Sequence, residues 1–303
     1  MHYISICIPT YKRPIILTKL LLSIAKCNID KGLINKVDII VIDNDFEKTA
    51  NEVVCTLRDK FCNLYTLNYH NYPVKGLANV RNKLIEESLK LDPDFLVFID
   101  DDEYVTTNWL NELVITIVSN KADAARGPVI ADITQPVSKN MSWLFKREQY
   151  ANNTQLTMWT TGNLIIRCAS LRKFNVWFDK RFNNTGSEDS YFGMQMTKKG
   201  ATLFWAAQAI TYEVIPEKRT KVEWFIRRTY RGGNMFMYML KLEKKYLQVL
   251  KKTLTSFFYI ILGLTAAPLM IMPVKIKYYG ILKLSEGIGG LAGLFNLRYK
   301  EYK

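Results

Sequence analysis

Phe95-Leu-Val-Phe-Ile-Asp100-Asp101-Asp102-Glu103 is the stretch on which the fold turns. An apolar run this short, ended by charge, reads as a β-strand buried on both faces. The carboxylates that follow mark its carboxyl end, and four in a row repel one another. A hard divalent cation with a preference for carboxylate oxygen would offset that repulsion. Magnesium or manganese would also bridge the protein to a substrate diphosphate. The plainer alternative is a solvated loop whose negative charge caps the next helix. The buried strand in front of the run favours the cation.

Working outward, Tyr3–Pro9 and Val37–Asp43 read as further apolar strands, and Asn63–Asn68 as a weaker one. Helical spacing fills the intervals, at Pro14–Cys27, Glu47–Arg58 and Leu77–Leu91, and again at Trp109–Val118. Strands alternating with helices imply an α/β fold, a mostly parallel sheet with helices on both faces. Ligands of such sheets bind beyond the carboxyl ends of the strands, where Asp43 and Asp100 stand. Past residue 124 the pattern mixes. Leu164–Ile166 and Ala209–Ile215 read as strands, the stretch near Asp189–Lys199 as a helix, and Lys221–Lys252 as one long basic helix.

The chain has 303 residues, 49% hydrophobic and 23% charged, with a net charge of +14, so it calls for an anionic partner. Cys7, Cys27, Cys55, Cys62 and Cys168 form no Cys-x-x-Cys pair, which suits a reducing compartment and not zinc. With only His2 and His70, a serine–histidine triad has little material. The N-terminus runs straight into a strand with no signal-like segment, so the catalytic part is expected in the cytoplasm. Leu254–Val274 carries no charged residue and is long enough to span a bilayer, which takes about 20 residues. Pro268 and Pro273 would kink it, and Lys251, Lys252, Lys275 and Lys277 flank it. Basic flanks on both sides suit a peripheral or re-entrant segment at the cytoplasmic face of the plasma membrane better than a span. A buried helix of a soluble domain is the third reading. The glycine-rich stretch Gly287–Gly293 would let helices approach closely.

Four more segments could carry chemistry. Pro9-Thr10-Tyr11-Lys12-Arg13-Pro14 joins the first strand to the first helix, and is either an ordinary turn or a phosphate neighbour. Gly76–Asn82 places Arg81 early in a helix, at the surface or facing a diphosphate. Gly186-Ser187-Glu188-Asp189 opens a helix, as a cap or with Asp189 as a general base. Glu213–Arg231 gathers arginines and aromatics, as a basic face or as cations for a leaving diphosphate.

Taken in order, these segments resemble a family 2 glycosyltransferase of the GT-A fold. The resemblance covers Tyr3 to Arg231, and the tail from Gly287 is similar to those of bacterial polysaccharide-assembly members, succinoglycan-type transferases among them. It implies a catalytic domain over 1–220, with a nucleotide half near 1–105 and an acceptor half near 106–220. It also implies a helical membrane-associating region over 221–303. Pro9, Thr10, Tyr11, Arg13, Asp43, Arg81, Asp100 and Asp101 would bind the nucleotide donor, and Asp102 a Mn2+ or Mg2+ ion. Gly162, Asn163 and Glu188 would meet the acceptor, with Asp189 as base. Arg227, Arg228 and Arg231 would neutralise the diphosphate.

Two departures stand out. Many relatives carry a histidine near the position of Glu213, and Arg227-Arg228-Thr-Tyr230 is not the Gln-x-x-Arg-Trp of processive synthases. Single sugar addition is expected, from a nucleotide-sugar (a UDP-sugar) to a glycan or polyprenyl-linked acceptor, with inversion. The setting would be capsule, exopolysaccharide or lipopolysaccharide assembly beside anionic lipids. Nucleic acid is not an expected partner, because no binding motif accompanies the charge. A silent membrane scaffold and a metal-dependent nucleotidyltransferase are the rival readings.

Overall fold

The computed structural model describes residues 1–61, 65–266, 268, 271 and 278–301. They form two compact units. The first holds residues 1–132, 147–183 and 188–214. The second begins at Ile215, not at residue 221, and also takes in 133–146 and 184–187.

The first unit runs β1 (His2–Thr10), α1 (Pro14–Ala25), β2 (Ile34–Asp43), α2 (Asn51–Leu57), β3 (Tyr65–Asn71), α3 (Leu77–Lys90) and β4 (Phe95–Phe98). Then come β5 (Glu103–Val105), α4 (Trp109–Ser119), β6 (Ala124–Arg126), β7 (Val129–Asp132), β8 (Gln155–Leu156) and β9 (Leu164–Arg167). It closes with α5 (Cys168–Phe174), α6 (Glu188–Lys198), β10 (Leu203–Trp205) and β11 (Thr211–Val214). The main sheet has the order β3-β2-β1-β4-β9-β6-β10-β8, and a small sheet the order β5-β11-β7. Around β1 the pairings are parallel, β1 with β2 and β4, and β2 with β3. The far half adds antiparallel pairs through β9 and β8.

Both faces of the main sheet are buried, which is why its strands are apolar runs and not alternations. Ile4, Ile6 and Ile8 of β1, with Phe95 and Val97 of β4, meet α1, α2 and α4 on one face. Cys7, Leu96 and Phe98 meet α3, α5 and α6 on the other. Each such side chain contributes about 1.5–3 kcal/mol. Burial also pushes the Cys27 and Cys168 thiols up to about 12. The register sets Thr10 opposite Asp43 and Cys7 opposite Phe98, so the carboxyl ends of β1, β2 and β4 lie together.

The helix expected from Glu47 starts only at Asn51, because Asp43 draws the preceding loop onto itself by accepting from the backbone N–H groups of Asp45 and Ala50. Of the expected strand at Asn63–Asn68, Asn63 and Leu64 lie outside the described residues, as does Cys62, and β3 continues to Asn71.

The second unit contains α7 (Val222–Leu242), α8 (Tyr246–Thr265) and α9 (Tyr279–Leu294). The single helix expected over Lys221–Lys252 is therefore two. The chain breaks between them where Lys244 takes a positive φ of 53°. Helix α9 carries glycines where the other helices press on it. A Cβ on Gly289 would stand 2.1 Å from the Tyr230 carbonyl oxygen, and one on Gly287 2.6 Å from that of Ser256. Met141, Phe225 and Leu282 form a separate core, with Trp143, Leu144 and Phe145 packed on it. Helix α8 is the one helix among the described residues long and apolar enough to cross a membrane. Leu247, Leu250, Leu254, Phe257, Ile261 and Leu264 are all exposed along it. The remainder of the expected apolar segment, apart from 268 and 271, and both Lys275 and Lys277 lie outside the described residues.

Candidate active site

The site is built at the carboxyl ends of β1 and β4. Thr10, buried at the end of β1, donates its hydroxyl to Asp101 Oδ2 at 2.9 Å. Arg13, at the entry to α1, donates through Nη1 to Asp101 Oδ1 at 3.0 Å and to Asp102 Oδ2 at 3.1 Å. The Thr10–Arg13 turn and the acidic run are thus one structure. Asp101 is its internal anchor, where a donor contact was expected. Burial pushes its carboxyl above the ordinary range, against the pull of Arg13 and Thr10. Pro9 is buried in β1, and Tyr11 is exposed beside the turn.

Asp43 is fully buried, and both oxygens are held from within. Oδ1 accepts from the Asp45 N–H, and Oδ2 from the Ala50 N–H and the Tyr69 hydroxyl at 2.9 and 3.0 Å. Asp43 thereby fixes the loop that follows β2.

Arg81 of α3 joins the two acidic ends of the site. Its Nη2 donates to Asp100 Oδ1 at 3.2 Å and its Nη1 to Glu188 Oε1. Gly76, which precedes α3, has φ 111°, and a Cβ there would stand 2.2 Å from Asn183 Cγ. Only glycine lets that loop turn so close to the chain leading to α6. Glu188 is buried, and its Oε2 meets no hydrogen-bond partner among the described residues. Burial pushes its carboxyl up to about 7, although Arg81 pulls the other way. Asp189, the next residue, is half-exposed, and its Oδ1 accepts from the Ser190 N–H at 2.7 Å.

Glu103 sits behind the acidic run. Burial, and then Asp100, Asp102 and Glu213, hold its carboxyl well above the usual range, while Arg147 opposes them. Its Oε2 has no partner among the described residues, and Gly162 lies so close that a Cβ would stand 2.5 Å from Oε1. Glu213, where a histidine was looked for, binds Arg147 Nη2 at 2.5 Å.

Asn163 is a correction. It was expected to face the acceptor, but it is fully buried. Its amide donates to the Pro128 and Ala209 carbonyls at 3.0 and 2.6 Å and accepts from Trp109 Nε1 at 2.7 Å. It braces the loop that presents Gly162. Arg227, Arg228 and Arg231 lie on α7 in the second unit, where Arg228 covers the Trp224 ring and Arg231 pairs with Glu301 at 3.0 Å.

Sequence reasoning missed Arg126 and Arg147. Arg126 closes a three-residue strand and Arg147 lies just after a single short turn, segments too short to show periodicity. That Arg147 pairs with Glu213, and that Arg126 is buried with no carboxylate beside it among the described residues, becomes visible only in the fold.

Among the described residues no group of three or more histidine, cysteine or acidic side chains forms a ready metal cage. The donor set nevertheless fits a hard cation that takes one or two carboxylates and completes its shell with phosphate oxygens. Asp102 and half-exposed Asp100 would supply the carboxylates, and their charge adds to burial in raising the Glu103 carboxyl behind them.

Comparisons with known proteins identify the family. The model of "Glycosyl transferase family 2" matches residues 5–178, and that of "Glycosyl transferase family group 2" residues 95–286. The succinoglycan biosynthesis protein ExoM of Rhizobium meliloti (strain 1021) is 28% identical over 239 residues, 76% of this chain and 73% of its own. Among solved structures, S. aureus TarS 1–349 in complex with UDP-GlcNAc superposes with a TM-score of 0.56 at 16% identity, covering 99% of this chain and 93% of that one. Of a longer TarS structure this chain spans 55%. GalNAc-T7 with UDP, GalNAc and Mn2+ gives a TM-score of 0.55 at 13% identity, over 73% of this chain and 45% of that one. The fold is of the GT-A type, and the chain belongs to glycosyl transferase family 2 as a glycosyltransferase.

Proposed function

We propose that the protein transfers a sugar from a nucleotide-diphosphate donor to a glycan or lipid-linked glycan, with Mn2+ or Mg2+, in the assembly of a surface polysaccharide. The observation that carries this reading is Arg81. It ties the strand-end carboxylate Asp100 to Glu188, and Asp189 follows Glu188 directly. Donor-side and acceptor-side acids are thereby fixed in one cluster. The UDP and UDP-GlcNAc complexes of TarS and the role of ExoM in succinoglycan biosynthesis support the same reading.

Asp102, with Asp100, would hold the cation, which supplies charge neutralisation for the departing diphosphate. Asp189, half-exposed at the start of α6, accepts the proton of the attacking hydroxyl, and the oxygen displaces the diphosphate from the opposite face. Arg81 holds Glu188 and Asp100 in place during transfer. The exposed apolar face of α8 and the charge of +14 support residence at an anionic membrane surface.

The test is nucleoside diphosphate release across a panel of nucleotide sugars, with membrane extract as acceptor source, in Mn2+, Mg2+ or EDTA. Wild type should release from one donor. EDTA and Asp102→Asn should each abolish release, and Asp189→Asn should lose transfer by about 100-fold or more while still binding the nucleotide. Transfer that survives Asp189→Asn removes the base assignment, and pyrophosphate as the product would point to a nucleotidyltransferase.

A further inference from the structure

Arg126 differs from the other arginines of the site. Arg13 pairs with Asp101 and Asp102, Arg81 with Asp100 and Glu188, and Arg147 with Glu213. Arg126 ends β6 and is only 9% exposed, yet among the described residues no carboxylate lies within 4.0 Å of it. Its Nη1 donates to Thr160 Oγ1 at 3.0 Å, and its guanidinium lies 5.3 Å over the Trp205 ring. Its Nε has no partner among the described residues.

The surroundings share this unmatched polarity. Thr161 Oγ1 and Trp205 Nε1 are buried and also lack partners among the described residues. The nearest acidic groups are engaged elsewhere. Glu148 accepts from the Tyr150 hydroxyl at 2.5 Å, and Asp189 from Ser190. Both are close enough for Arg126 to feel their charge, and neither reaches it. A buried guanidinium with no carboxylate is costly unless something anionic arrives to match it. Burial lowers the affinity of Arg126 for its proton, in keeping with that cost. Tyr150 stands edge-on to Trp205 at 5.3 Å and completes an aromatic wall beside the cation. Half-exposed Thr160 and Tyr150 beside the guanidinium suit a sugar that carries a negative charge, while the buried Trp205 ring backs the cation.

We propose that Arg126, with Thr160, Thr161 and Trp205, forms a subsite for a carboxylate or phosphate carried on a sugar of the substrate. A charged acceptor sugar is one source of this chemistry. A charged donor sugar is the second source of the same chemistry. The proposal rests on the reading of Asp100, Glu188 and Asp189 as the transfer site.

The test titrates the full chain with two matched pairs of probes, methyl glucuronide against methyl glucoside, and UDP-glucuronate against UDP-glucose. UDP alone is titrated on the same samples. Wild type should favour the charged member of one pair by about tenfold or more. Preference in the glycoside pair names the acceptor, and preference in the nucleotide pair names the donor. Arg126→Gln should erase the preference and keep UDP affinity, and Arg126→Lys should retain part of it. Melting curves identify a variant that fails to fold, and Thr160→Val then supplies the second reading, a weakened preference. Equal binding of both members of each pair by wild type overturns the proposal, as does a preference that survives Arg126→Gln. Failure of wild type to bind UDP counts against the transferase reading instead, and leaves the charge preference readable.

Discussion

Glu188 and Arg81 press together in the interior, and only one of the two carboxylate oxygens is matched. The consequence is a pH dependence with a definite sign. The carboxyl rises from an ordinary 4.5 to about 7, so between those values the fold holds a proton that the unfolded chain has released. Stability from this group is complete below 4.5 and is lost as pH rises through about 7. Glu188→Gln should flatten the fall in unfolding free energy across that window, by roughly 1–3 kcal/mol, read from denaturant melts at several pH values. An unchanged slope would place the titrating group elsewhere. At this scale the sequence was uneven. Asp100, Asp102, Glu188 and Asp189 could be singled out because acidic residues cluster at a strand end and at a helix start, and the fold joins Asp100 to Glu188 through Arg81. Asn163 was misread, since an asparagine after Thr161-Gly162 looks the same whether it faces a sugar or clamps two carbonyls. Arg126 was invisible, because its isolation from carboxylates is a property of the fold.

Among the elements, the strands of the parallel half were legible for one reason: β1, β2 and β4 are covered on both faces and so read as unbroken apolar runs. The strands β6, β8 and β10 span two or three residues each, too few for any period to show. The break between α7 and α8 falls in Glu243-Lys244-Lys245, residues that favour helix, and so left no mark. The glycines of α7 and α9 give the sharper test. Gly289→Ala places a methyl group 2.1 Å from a carbonyl oxygen and should cost about 1–3 kcal/mol. Gly232→Ala meets nothing within 4 Å and should gain up to about 1 kcal/mol from helix propensity. Thermal melts of the two variants should move in opposite directions. A shared direction would undo the packing argument.

For the molecule as a whole, charge and the face of α8 bear on the same question. A chain of +14 is drawn to anionic vesicles, and the attraction weakens as salt shortens the screening length to about 8 Å near physiological strength. The apolar residues of α8 add a component that salt does not remove. Cosedimentation with phosphatidylserine-containing vesicles should therefore fall with salt to a plateau, and Leu254→Glu with Ile261→Glu should abolish the plateau. Binding that ignores the double substitution would assign the membrane contact to another surface.

The segment 133–146 has a consequence in time. Its Trp143, Leu144 and Phe145 share a core with Met141 of the same segment, Phe225 of α7 and Leu282 of α9. A ribosome adds roughly 5–20 residues per second. Phe145 therefore precedes Leu282 by on the order of ten seconds, during which the α9 part of that core is missing. Until α9 is made this core stays incomplete, and a chaperone that binds exposed apolar side chains should hold the nascent chain longest in that interval.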